Sequence, residues 1–176
     1  MPVNAEKEIT KLWKAKQGAQ GEICNTYYRW REFALGLAGE NADPMTVALD
    51  AAEAFGRYIG KGMLPRLNLL KGDEAFIGML AKQFAATWAN EGAVVTVEPG
   101  EKPTEAVIRC KRDTWPTAAK TFDVPMEEVA RTREKLFESM LVDPSVFFNK
   151  PLAIEMQKAI PRGEGEWVFK LYMKEQ

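Results

Sequence analysis

The sequence predicts an α+β domain, a helical N-terminal half packed on a C-terminal antiparallel sheet with one inserted helix. Three observations carry that expectation. Apolar residues recur at helical spacing through about residue 91, and at Gly92 the period changes to alternation. Two strand-like runs then flank each of two Gly/Pro-rich turns, at 99–103 and 161–165. No internal repeat or low-complexity stretch appears, so residues 1–176 read as one domain.

The helices come first. Asn4 suits an N-cap, and Ile9, Leu12, Trp13 and Lys16 share a narrow face of the kind a docking helix carries, with QGAQG at 17–21 expected to end the helix. A second helix over about 22–38 bears two adjoining stripes, Ile23, Tyr27, Trp30, Ala34 and Leu37 beside Cys24, Tyr28, Arg31 and Leu35. Asp43-Pro44 is a cap acceptor followed by proline at the first helical position. In the helix that follows, Gly56 and Gly60 stand four apart, the spacing of a close helix contact, and Pro65 is expected to break or kink the chain. Asp73 is expected to cap a fourth helix with Phe76, Ile77, Leu80, Phe84 and Trp88 on its apolar face, closed by Gly92.

The sheet is expected over 93–98, 105–112, 151–159 and 166–173. Ala106, Ile108 and Cys110 fall on one side of the second strand and Val107, Arg109 and Lys111 on the other. Trp167, Phe169, Leu171 and Met173 point inward on the last, with Val168, Lys170 and Tyr172 outward. Between the hairpins lie a short helix after Trp115-Pro116 and a longer one to about Leu141, with Val129, Arg133, Leu136, Phe137 and Met140 along one side. Asp143-Pro144-Ser145 reads as a turn.

Composition narrows the chemistry. A net charge of −1, from 24 basic and 25 acidic residues, argues against a nucleic-acid binder driven by counterion release. No apolar run reaches the roughly 20 residues of a membrane helix, and the start lacks a signal-peptide core, so no membrane and a cytoplasmic location are expected. Two cysteines make neither a disulfide framework nor a zinc site. The chain has no histidine, which removes Ser-His-Asp and Cys-His catalysis and His-ligated metals. The expectation is a small organic ligand, with no metal and no cofactor.

Val107-Ile108-Arg109-Cys110 and the closing run Gly163-Glu164-Gly165-Glu166-Trp167-Val168-Phe169 carry a family likeness. The C-terminal half, about residues 93–176, resembles the L-2-amino-thiazoline-4-carboxylic acid hydrolase family and its relatives with the 4-vinyl-reductase type of domain. Those have a strand ending in Arg-Cys after a hairpin, then a helix and a closing hairpin. The resemblance implies hydrolysis of a C–N bond in a cyclic amidine or related small organic acid. This sequence departs from the pattern: Trp167 holds the closing cysteine position, and the 125–141 helix has no cysteine, so a multi-cysteine metal or redox site is not implied.

Three functional readings stay open at this level. In an enzyme, Cys110 is the chemical centre, Arg109 or Arg112 holds a substrate carboxylate, and Asp113 moves a proton. The alternative for Cys110 is a small buried hydrophobe. In a non-catalytic ligand-binding module, Tyr27, Tyr28, Arg31, Trp88, Trp115 and Trp167 line the site; otherwise these aromatics are core. The third reading is a homodimer or accessory subunit that uses its aromatics at an interface.

Overall fold

The computed structural model describes the backbone of residues 5–174 except Lys71, and their side chains except those of 5–7, 13 and 17. The expected cap at Asn4 and the side chain of Trp13 lie outside the described residues. Three long helices come first: α1 (Ala5–Ala38), α2 (Pro44–Leu67) and α3 (Asp73–Asn90). A hairpin follows, β1 (Val94–Pro99) and β2 (Glu105–Arg112), then α4 (Trp115–Thr121), α5 (Met126–Met140) and α6 (Val142–Phe148). The second hairpin, β3 (Leu152–Lys158) and β4 (Trp167–Met173), closes the chain around a single 3-10 turn, Ile160–Arg162.

The sheet is antiparallel throughout, in the order β1-β2-β4-β3. Ile108 of β2 is paired with Val97 on one side and Phe169 on the other, so each inward row runs across the sheet. Helix α3 packs on β1, β2 and β4, and α5 reaches β3. Between them Trp88, Phe137, Trp167 and Phe169 form one buried aromatic cluster, with Trp88 edge-on to Phe137 at 5.1 Å and to Trp167 at 5.7 Å. That geometry sets ring edges against ring faces, the favourable arrangement for aromatic quadrupoles.

Helix α2 lies along α5 at a distance that two glycines permit. A Cβ built on Gly56 would stand 2.5 Å from the Leu136 carbonyl oxygen, and one on Gly60 would stand 2.5 Å from that of Met140. The four-residue glycine spacing is therefore a close backbone contact, as expected.

Five local expectations are corrected. The first two helices are one: α1 runs through Gly18 and Gly21, since glycine costs only about 1 kcal/mol in a helix and no proline intervenes. Pro65 sits in the last turn of α2, which ends two residues later with Asn68 as its cap. Gly72, at φ 85°, is the N-cap of α3, and the Asp73 carboxylate pairs with Lys150 instead of capping. Asp143-Pro144-Ser145 lies in the first turn of α6, where a missing N–H leaves no bond unmade. Val168, expected to face outward, is buried; it stands in register between Arg109 and Lys158, whose long side chains flank it.

Candidate ligand groove

A cavity of about 900 Å³ lies among the C-terminal half of α1, the middle of α2, the end of α3 and α5. It exists because α2 presents small side chains to it: Ala51, Ala52 and Ala54 leave space that larger residues would fill. Ile23, Trp30, Phe55 and Tyr58 stand at its mouth and are all exposed. The lining is overwhelmingly apolar.

Polar groups gather at the base. Arg133, on α5, is buried, and its Nη2–H donates to Glu91 Oε2 at 2.9 Å. The same oxygen accepts the Trp115 indole N–H at 2.8 Å. The guanidinium is boxed by rings, with its carbon 4.9 Å from the Trp88 ring centre, 5.3 Å from Trp115 and 5.6 Å from Phe137. Burial opposes the Arg133 charge, but Glu91 and Asp113 more than offset it and hold its pKa above the ordinary value. Nη1 of Arg133 and the hydroxyl of Tyr27 are buried with no hydrogen-bond partner among the described residues, and both residues line the cavity.

A second buried ion pair stands beside the first. Arg31 of α1 grips Glu128 of α5 through two parallel N–H···O bonds, and Glu128 lines the cavity. Asp113 is buried near Arg133; burial pushes its carboxyl above the ordinary range, opposed by the Arg133 charge and by the Trp115 amide bonded to it. Both arginines are paired with carboxylates, and burial favours the neutral form of Asp113 beside them.

The site residues expected from sequence divide sharply. Tyr27, Tyr28 and Trp115 line the groove as one ring cluster, Tyr27 to Trp115 at 5.0 Å and Tyr28 to Trp115 at 5.7 Å. Arg31 braces it through Glu128. Trp88 lies beneath it and stacks on Arg133, while Trp167 belongs to the sheet core, and neither lines the cavity. Arg109 pairs with Glu98 and Glu166 and Arg112 is exposed at the strand end, and neither lines the cavity.

Cys110 does not line the cavity. It is fully buried, its Sγ donates to the Arg112 carbonyl at 3.1 Å, and burial pushes its thiol up to about 12. The strand that carries it covers the core under α3, away from the groove lining, and Asp113 is buried near Arg133, outside the cavity lining. Cys24 is likewise buried, its Sγ 3.4 Å from Thr114 Oγ1 and its thiol raised by burial to about 11. A neutral thiol is a poor nucleophile.

Arg133, Glu91 and Glu128 are the site residues that sequence reasoning missed. The signal was present: Arg133 interrupts the apolar side of α5, and a charge on a buried stripe needs a partner.

No family model matches the chain, and no curated protein matches it in sequence. Solved structures resemble it to different degrees. The phenol-responsive sensory domain of the transcription activator PoxR, crystallised with phenol, is 9% identical, with 85% of this chain and 74% of that one covered, at a TM-score of 0.53. A trafficking protein particle complex subunit 3 from Naegleria fowleri, covalently bound to palmitic acid, is 15% identical over 90% and 97%, at 0.46. An H-NOX protein from K. algicida is 18% identical over 79% and 68%, at 0.43. The likeness to the PoxR domain, at that identity, is one of fold. No helix among the described residues is long and apolar enough to cross a membrane.

Proposed function

We propose that this protein is a small-molecule-binding domain whose groove takes a neutral, mostly apolar organic molecule carrying one hydrogen-bonding group. The observation that carries the reading is Arg133, which lines the apolar cavity and whose buried Nη1 has no acceptor among the described residues. An unmade bond of that kind costs about 1–3 kcal/mol, which a ligand hydroxyl or carbonyl would restore. Tyr27 can complete the contact from α1. Because the ion pairs already balance, a carboxylate would bring an uncompensated charge into the site, so a neutral polar group fits better. The PoxR sensory domain, which has the same overall fold, was crystallised with phenol, a molecule of this class.

Binding without chemistry is the favoured form of this reading, since among the described residues no cysteine and no unpaired carboxylate lines the groove. Kinship with the L-2-amino-thiazoline-4-carboxylic acid hydrolase family remains a proposal resting on the strand motifs alone, and it does not require turnover here.

The test is titration with the neutral fluorophore N-phenyl-1-naphthylamine, followed by displacement with phenol and with benzoate. Saturable binding, displaced better by phenol, is expected, and Ala51→Trp should weaken it about tenfold or more by filling the groove. Absence of saturable binding, or full binding by the Trp variant, would overturn the reading.

A further inference from the structure

Helix α1 carries apolar surface that its own protomer does not cover. Counting in sevens from Ile9 gives Lys16, Ile23, Trp30 and Leu37, and from Leu12 gives Ala19, Thr26 and Phe33. Every one of these is exposed, whereas Gln20, Cys24, Tyr28 and Arg31 on another face are buried against the body. Apolar residues dominating alternate three- and four-residue steps, sustained over four heptads, make a coiled-coil seam, and such a seam is matched by another helix of the same repeat. All described side chains from Glu8 to Ala19 are exposed, so none of those described is buried against the body. An unsupported helical segment of that length is marginal in water.

We propose that α1 pairs antiparallel with the α1 of a second copy, so that each N-terminal segment roofs the groove of the other. Orientation follows from Lys16. A parallel pair would set the two Lys16 side chains against each other in the seam, at the cost of like-charge repulsion. An antiparallel pair sets first-position residues against fourth-position ones, so Lys16 meets Ala19 or Thr26 of the second copy. The same geometry brings Ile9 and Leu12 of one copy to the Ile23–Phe33 stretch of the other. Ile23, Thr26 and Trp30 belong both to the seam and to the groove lining, which is why the second copy would close the open side. The roofing, unlike the pairing, rests on the reading of the groove as a ligand site.

The experiment measures solution mass by light scattering, with spin labels for orientation. The full chain should have twice the protomer mass, and Ile9→Glu/Leu12→Glu should be a monomer that keeps the cooperative unfolding of its body. With both native thiols buried, a label at Glu32→Cys reports one site per chain. Label separations of about 30 Å or more are expected for the antiparallel pair, against about 20 Å or less for a parallel one. A monomeric wild type at millimolar concentration, or a dimer that survives the double substitution, overturns the pairing, and a short label distance overturns the orientation. The monomeric variant should bind N-phenyl-1-naphthylamine about tenfold more weakly; unchanged affinity overturns the roofing. A dimer that binds no probe refutes the groove reading and leaves the pairing standing.

Discussion

Arg133 gives one of its terminal N–H groups to Glu91 at 2.9 Å and leaves Nη1 with no acceptor among the described residues, although it is one of the most buried charges among them. Arg133→Met strands the Glu91 carboxylate, so a loss of about 3–5 kcal/mol in urea unfolding is expected. Glu91→Gln added to it should recover part of that loss, because the unpaired charge is then gone. Strict additivity of the two substitutions would show that the residues do not act as a pair.

Asp113 gives the protein a dependence on pH that a surface aspartate would not. Its carboxyl is held above the ordinary range chiefly by burial. The folded state therefore prefers the protonated form, and this contribution is complete below the ordinary Asp pKa and is lost as pH rises through the folded value. Asp113→Asn cannot ionise. Its stability relative to wild type should grow as pH rises from about 4 towards neutrality, read from urea midpoints at successive pH values. A constant difference across that range would mean that Asp113 is not buried in its charged form's disfavour.

Both thiols should be inert in the native protein. Burial raises Cys24 to about 11 and Cys110 to about 12, so at pH 8 thiolate is scarce and a disulfide reagent has no path to either sulfur. Reaction should await unfolding. Cys110→Ser should cost about 1–3 kcal/mol by placing a hydroxyl among apolar neighbours, and it should leave ligand binding unchanged. Rapid native labelling of Cys110 would reopen the enzyme reading.

Two glycines of α2 make a matched comparison. Gly60→Ala drives a methyl into the Met140 carbonyl and should cost about 1–3 kcal/mol or more by prising α2 from α5. Gly62 has no heavy atom within 4 Å of where a Cβ would stand, so Gly62→Ala should stabilise by about 0.5–1 kcal/mol through helix propensity. Thermal unfolding of the two variants checks both signs.

The period of apolar residues was enough to place most elements, because a strand turns its side chains every second residue and a helix every three or four. Ile108 beside Cys110, or Trp167 beside Phe169, can share a core only in one register, so β2 and β4 were legible with their inward faces. Local signals misled where their energy is small: glycines at 18 and 21 did not stop α1, and Pro144 was free to start a helix. The groove was out of reach of sequence for a different reason. Tyr27 and Arg133 lie on α1 and α5, separated by most of the chain, and only packing brings the two residues to one cavity. Cys110 shows the same limit in reverse. Strand alternation turned it inward, but whether inward meant a pocket or a sealed core depended on α3 lying over the sheet. A charge such as Arg133 announces by its place on an apolar stripe that it must find a partner; which partner, and whether a donor is left over for a ligand, is settled by tertiary distance alone.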